Sequence, residues 1–319
     1  MATRPGTIVV ALGGNALAPA GERATIHDQF RHTRDSLEAV VALARERWHI
    51  AIVHGNGPQV GDALERNELA RERVVPLPLG VLVAATAGWI GYMIQQSLQN
   101  AFRRHGIRRD VLTVITQTRV DADDPALARA SKPIGHALRP AAAEALRRHG
   151  IAVGRDGAGR WRRLAPSPAP REILEAAAVR QLVDEGKIVI AAGGGGPPVY
   201  LHDRLGWEGV DAVVDKDRVA AILGAGIEAD TLLILTDVDA VYRAWGTPQQ
   251  AAVPRLTVAE ADVMIRGDAL GTGSMLPKVQ AAAEFVRAGG KRAIIARLDR
   301  GLAAIQGHTG TTIVEDEGA

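Results

Sequence analysis

The sequence predicts an α/β protein built on a buried, parallel sheet, and three observations carry that expectation. Apolar, β-branched runs such as Thr7-Ile8-Val9-Val10-Ala11-Leu12 recur along the chain, too uniformly apolar for strands with one wet face. Segments with helical spacing separate them, the alternation that builds parallel sheets. Glycine-rich turns also recur, at Gly13-Gly14, Gly55-Asn56-Gly57, Gly193 to Gly196 and Gly271-Thr272-Gly273. At the carboxyl end of a strand such a turn brings backbone amides and a helix N-terminus to the edge where open α/β sheets hold anions.

The elements follow in order. After the first strand, Thr25 reads as an N-cap with Asp28 completing a capping box. Ile26, Phe30, Leu37, Val40, Val41, Ala44 and Trp48 then recur at helical spacing, as one core-facing stripe. His49 to His54 is a second short strand, and Pro58 suits the first turn of a helix that carries Val60, Leu64 and Leu69 on one face. His54 reads as a satisfied core histidine, with a catalytic base as the alternative. Val74 to Phe102 holds no charged residue, yet Pro76, Pro78 and Gly80 interrupt it and glutamines fill its second half. A buried helix from near Gly80 to His105-Gly106 fits better than a membrane span, and it is a candidate subunit contact.

Val111 to Gln117 reads as a third strand. From about 119 to 170 the chain turns polar, arginine-rich and proline-punctuated, which predicts an inserted subdomain with a helix over Ala141 to His149 and a turn at Gly159-Arg160-Trp161. A helix over Glu172 to Glu185 precedes a strand from Ile188 to Ala192. Asp215-Lys216-Asp217 opens a helix, and Thr231 to Thr236 is another buried strand. Thr257 and Glu260 form a second capping box, a helix runs through Phe285 and Val286, and strands over Arg292 to Leu298 and Gly310 to Val314 complete the chain.

Bulk composition narrows the function. At 319 residues, 47% hydrophobic and 23% charged, the chain is an ordinary globular protein able to bury a large core as one domain or two lobes. A net charge of +2 without blocks of like charge argues against a nucleic-acid partner. The lack of cysteine excludes disulfides, thiolate nucleophiles and thiolate metal ligands. The N-terminus runs straight into a strand, so a cytoplasmic location is expected.

Of the 38 basic residues only five are lysine: Lys132, Lys187, Lys216, Lys278 and Lys291. Where arginine serves for surface charge, a retained lysine marks a need for a compact ammonium. Lys132 stands in a rigid turn, Lys216 between two aspartates and Lys278 behind a glycine-rich helix entrance. The blander alternatives are a solvated loop for Lys132 and a first-turn ion pair for Lys216, with Asp215 as a helix cap.

These motifs together resemble the carbamate kinases of the amino acid kinase family over essentially the whole length. The resemblance rests on Ala11-Leu12-Gly13-Gly14-Asn15-Ala16, His54-Gly55-Asn56-Gly57-Pro58-Gln59-Val60-Gly61, Gly193 to Gly196, Asp215-Lys216-Asp217 and Gly273-Ser274-Met275-Leu276-Pro277-Lys278. Lys132-Pro133-Ile134-Gly135 and Pro166-Ser167-Pro168 add to it. Ala11 also sides with carbamate kinases, since N-acetylglutamate kinases generally place a lysine there.

The resemblance implies a three-layer αβα sandwich around a mainly parallel central sheet, as a single domain over 1–319. It implies a protruding lid subdomain at about 119–170, an acceptor-side lobe over about 1–200 and a nucleotide-side lobe over about 201–319. It further implies reversible phosphoryl transfer between ATP and carbamate, giving ADP and carbamoyl phosphate with Mg²⁺, often run toward ATP, in a homodimer. By resemblance Gly13, Gly14, Asn15, Gly55, Asn56, Gly57, Gly194 and Gly195 bind phosphate and acceptor. Lys132, Lys216 and Lys278 carry the phosphoryl charge and Asp217 orients lysines. Thr236, Asp237, Val238, Tyr242, Met275 and Pro277 border the nucleotide with Lys216 and Lys278, while no Mg²⁺ ligand is implied. Three places depart from the family pattern. His136-Ala137 stands where most members have Pro-Phe, Gly157 to Trp161 is altered, and Ala221-Ile222 replaces a frequent Glu-Lys. The first two lie in the expected lid and bear on closure and acceptor preference. The alternatives are a kinase for another small carboxylate and a non-catalytic nucleotide-binding regulator.

Overall fold

The computed structural model describes residues 6–14, 17, 24–267, 270 and 274–316. Asn15 and the Gly271-Thr272-Gly273 part of the last glycine-rich turn lie outside them. An eight-stranded sheet forms the middle layer, in the order Arg255–Thr257, Thr311–Val314, Arg292–Arg297, Thr231–Thr236, Thr7–Leu12, His49–His54, Ile188–Ile190, Val111–Thr113. The six strands from Arg292–Arg297 to Val111–Thr113 are parallel, and the other two run against them.

Alternation sorts the strand side chains between two cores. Val9, Ala11, Ala51, Val53, Leu232 and Ile234 face one side, where Lys216–Gly226, Met275–Arg287 and Val258–Arg266 pack. Ile8, Val10, Leu12, Ile50, Ile52, Leu233 and Leu235 face the other, under Glu38–Arg45, Leu79–His105 and Gly301–Ile305. Both faces are dry, as a parallel sheet requires. The result is the three-layer αβα sandwich around a mainly parallel sheet.

Thr118–Arg119 pairs antiparallel with Glu172–Ile173, bringing together the two ends of the intervening stretch. Within it Lys132–Leu138, Trp161–Ala165 and Val153–Arg155 make a separate antiparallel sheet beside the helix Pro140–Arg148. A small core of Val60, Leu64, Leu82, Val83, Ile134, Ala165 and Val213 joins this sheet to the helix Gly57–Ala70. The contact is intimate: a Cβ on Gly61 would come within 2.0 Å of the Gly135 Cα.

Several sequence expectations need correction. The stripe from Ile26 to Trp48 is not one helix but two, Ile26–Ser36 and Glu38–Arg45, and Ile26 is exposed. Gln29, Thr33 and Ser36 form the buried face instead, with the Thr33 and Ser36 hydroxyls donating to the carbonyls of Gln29 and His32. Such bonds let polar residues be buried on a helix, which apolar periodicity cannot register. Leu69 lies near the helix end and is exposed. The strand expected over Val111 to Gln117 stops at Thr113, and Thr116 instead accepts from the Ala192 amide at 3.0 Å. The helix expected over Glu172 to Glu185 is shorter, Ala176–Asp184, because Glu172–Ile173 is spent on the strand pair. Both capping boxes form, at Thr25 with Asp28 and at Thr257 with Glu260.

Candidate active site

Parallel pairing delivers the ends of Thr7–Leu12, His49–His54, Ile188–Ile190 and Thr231–Thr236 to one edge of the sheet. The chain lays His49–His54 and Ile188–Ile190 on one side of Thr7–Leu12 and Thr231–Thr236 on the other, the kind of switch point at which such folds take ligands. The first two glycine turns meet in it. A Cβ on Gly55 would stand 2.9 Å from the Gly14 nitrogen and 3.2 Å from Cδ of Lys216, so only glycine permits the approach. The Gly13 amide donates to Leu235 O at 3.2 Å and the Gly55 amide to Leu12 O at 3.0 Å, extending the sheet ladder. These two amides are therefore engaged by the protein. Those of Gly14 and Gly57 meet no acceptor among the described residues, and Gly57 opens the helix Gly57–Ala70. Asn56 turns its side chain inward, donating to the Thr86 hydroxyl at 2.9 Å.

The four consecutive glycines are buried, and their neighbours are protein atoms. A Cβ on Gly193 would meet His54, one on Gly194 the Asn56 amide at 2.2 Å, one on Gly195 the Val214 carbonyl at 2.7 Å, and one on Gly196 the Thr118 hydroxyl. Gly194, Gly195 and Gly196 also hold positive φ, at 67°, 92° and 72°. The Thr118 hydroxyl donates to Gly195 O at 2.6 Å. This loop thus lies against the side chains behind the Gly55-Asn56-Gly57 turn, which accounts for all four glycines by close packing and backbone conformation.

Three scarce lysines gather beside the turns. Lys216 donates to Asp217 at 2.5 Å and Lys278 to the other oxygen of the same carboxylate at 3.0 Å. Asp217 and Lys278 are buried, on the helices Lys216–Gly226 and Met275–Arg287. Lys132 reaches in from the antiparallel sheet but bonds to Asp215, at 2.7 Å, instead of Asp217. Asp215 does two jobs, since its other oxygen accepts from the Asp217 and Arg218 amides at 2.9 and 3.3 Å and caps the helix. The cap is readable from the sequence, whereas the second bond is not, because Lys132 lies 83 residues away along the chain.

Burial and charge compete here. Desolvation would raise the carboxyls of Asp215 and Asp217, yet the lysines hold both below the ordinary range, Lys132 and Lys216 acting on Asp215 and Lys216 and Lys278 on Asp217. Burial lowers the Lys216 ammonium, and the Lys278 charge adds to that while Asp217 opposes it. With every group ionised, three ammoniums face two carboxylates, an excess of one positive charge in a partly desolvated crevice. The arrangement can bind a polyanion and stabilise negative charge that spreads during a transfer.

On the far side of the first strand, Thr236 ends the strand Thr231–Thr236 and its hydroxyl donates to Asp237 at 3.0 Å. Val238 follows half-buried. Tyr242 lies in the hairpin of Val241–Arg243 with Ala251–Val253, donating to Asp239 at 2.8 Å and packing on Trp245. Met275 and Pro277 occupy the first turn of the helix that carries Lys278. Thr236 is thereby one residue from the Leu235 carbonyl that anchors Gly13, whereas the described contacts of Tyr242 do not reach the lysines.

For a divalent cation the donor set fits an ion held mainly by ligand oxygens. Among the described residues no three acidic or histidine side chains converge, and Asp215 and Asp217 are each committed to lysine. Mg²⁺ needs only one or two carboxylates when phosphates and waters supply the rest.

Residues 6–297 match the model of the amino acid kinase family. The chain is 40% identical to the carbamate kinase of Pyrococcus horikoshii over 97% of its length and 99% of that protein. It is 46% identical to the carbamate kinase of Escherichia coli K12, over 96% and 99% of the two chains. The structure of carbamate kinase from Giardia lamblia bound to AMP-PNP superposes with a TM-score of 0.89 at 33% identity, over 98% and 99% of the chains.

Proposed function

The chain belongs to the amino acid kinase family, among the carbamate kinases, and on that premise we propose how its residues exchange a phosphoryl group between ATP and carbamate. A carbamate oxygen attacks the γ-phosphorus as the bond to the β,γ-bridging oxygen breaks, leaving ADP and carbamoyl phosphate. Carbamate already bears an anionic oxygen, so the attack requires no protein base. What remains is to hold donor and acceptor in line and to stabilise charge on the transferred group. The observation that carries this assignment is the pair of buried ammoniums, Lys216 and Lys278, fixed on one carboxylate beside two glycine turns.

In this proposal Lys216 and Lys278 neutralise the phosphoryl oxygens and Asp217 keeps both ammoniums in place. Gly14 and Gly57 offer amides, and Gly13, Gly55, Asn56, Gly194 and Gly195 give the turns their shape. Thr236, Asp237 and Val238 border the nucleotide together with Met275 and Pro277, and Tyr242 flanks that side. Mg²⁺ carried by the nucleotide phosphates would supply further charge neutralisation there, alongside Lys216 and Lys278.

The antiparallel sheet that carries Lys132 acts as a lid over about 119–170. Apart from its small apolar core it is tied to the helix Gly57–Ala70 by His136, whose Nε2 lies 2.8 Å from Asp62, and by the ion pair of Arg163 with Glu68. Closure brings Lys132 from Asp215 to the transferred group. His136, one of the departures from the family pattern, thereby gains a partner of its own.

The reaction runs toward ATP, because a carboxylic–phosphoric mixed anhydride is the stronger phosphoryl donor. The working form is a homodimer in the cytoplasm. The helix Leu79–His105 leaves Val81 and Tyr92 exposed for contact, and no helix of the described residues is long and apolar enough to cross a membrane. Steady-state turnover with carbamate, N-acetylglutamate and acetate as acceptors tests the reaction. ADP release with carbamate alone is expected. Turnover only with another carboxylate, or ATP binding without transfer to any of them, would contradict it.

A further inference from the structure

His54 ends the strand His49–His54, is wholly buried, and has no part in the transfer described above. Its Nδ1 lies 3.0 Å from the Gly55 carbonyl oxygen, an atom that can only accept, so Nδ1 carries a proton. Burial pushes the imidazole pKa down to about 4, overcoming the backbone carbonyls of Gly55 and Ala87, and the Lys216 charge works in the same direction as burial. The ring is therefore neutral and Nε2 bare. Nε2 makes no hydrogen bond of ordinary geometry among the described residues, the Ala87 carbonyl being the second acceptor near the ring, and sits under Gly193, where a Cβ would come within 2.5 Å of it.

A trans peptide points its C=O and N–H in opposite directions. With the Gly55 carbonyl held on the imidazole, the Asn56 N–H faces away from the ring, and no described residue accepts from it. Gly55, which begins this peptide, adjoins the Gly14 amide and the Lys216 side chain at the position a Cβ would take. Turned over, it would present a carbonyl oxygen to a phosphoryl group that needs donors.

We infer that His54 is a positioning residue. Its Nδ1–H locks the Gly55–Asn56 peptide with the N–H toward the phosphoryl crevice, and Gly193 of the buried glycine loop wedges the ring in place. This rests on the proposed phosphate role of the Gly55-Asn56-Gly57 turn and adds the device that keeps the turn a donor.

The test compares wild type with His54→Asn, which keeps a donor where Nδ1 sits, and His54→Leu, which has none. Melting temperature is recorded for each. His54→Leu is expected to lower kcat by on the order of 10–100-fold, the usual effect of removing the partner behind a binding group, with His54→Asn recovering most of it. Nitrogen-15 spectra of wild type, with the His54 signal identified by its loss in His54→Asn, should show that ring with its proton on Nδ1, unchanged between about pH 5.5 and about pH 8, a span that crosses the ordinary histidine transition. Equal kcat losses in the two variants at equal stability, or a proton on Nε2, would overturn the inference. The spectra hold the question open to refutation if the leucine variant does not fold. Absence of wild-type turnover with carbamoyl phosphate would instead count against the reaction, leaving the tautomer result to decide on the peptide.

Discussion

Burial opposes the charge of Lys216, and a second ammonium stands near enough to lower its pKa further. A base whose pKa falls on folding weakens the folded state while it is charged, and the burden lifts only as pH rises toward its ordinary value. Lys216→Met should therefore lower turnover by on the order of 10²–10³ or more while leaving the melting temperature unchanged or raised, because Lys278 still neutralises Asp217. Differential scanning calorimetry with an activity assay checks both halves, and a marked drop in melting temperature would contradict them. Asp217→Ala should do the opposite and destabilise by about 3 kcal/mol, since it leaves two confined ammoniums without their acceptor. Denaturant titration reads that value. Lysine scarcity made Lys132, Lys216 and Lys278 legible in the sequence, because arginine cannot replace a compact ammonium. Which carboxylate holds which lysine was not legible, since Lys132 and Asp215 are 83 residues apart and meet only through the fold.

At the scale of elements, the helix Lys216–Gly226 begins on a residue with two obligations. Asn caps a helix about as well as Asp does but cannot pair ionically with Lys132. Asp215→Asn should hence keep the cap but lose the Lys132 pair, lowering the melting temperature modestly and altering KM for carbamoyl phosphate, whereas Asp215→Ala should lose on the order of 1 kcal/mol more through the cap. Equal stability of the two variants would refute the double role. The glycine loop teaches a different lesson. Four glycines in sequence promise close approach, but only the fold shows that the approaching groups are His54, Asn56, Val214 and Thr118. Gly194→Ala, at positive φ and 2.2 Å from the Asn56 amide, should displace the Gly55-Asn56-Gly57 turn and raise KM for the phosphorylated substrate. The two capping boxes were legible because each is a local bond over three residues. The break at Leu37 was not, because Ser36-Leu37-Glu38 holds no glycine or proline to mark it.

The whole molecule depends on one sheet running from the first strand into both halves of the chain, which aligns four strand ends at one edge. Uniformly apolar runs made that parallel sheet legible, while the reversed pair at its margin, Arg255–Thr257 and Thr311–Val314, carries no comparable signal in three or four residues. The same architecture sets an acid limit. Asp215 and Asp217 are held below the ordinary carboxylate value of 3.8, so their stabilisation is complete above it and fades as pH falls below it. Melting temperature against pH should therefore fall in that acid range, and more shallowly in Asp215→Asn. The central claim is that buried ammoniums on a shared carboxylate transfer a phosphoryl group between carbamate and nucleotide. It is tested most directly by ATP formation from ADP and carbamoyl phosphate with Mg²⁺, comparing wild type with Lys216→Ala and Lys278→Ala. The account predicts wild-type turnover and a loss on the order of 10²–10³ or more in each folded variant. Wild-type turnover that survives either substitution would contradict it.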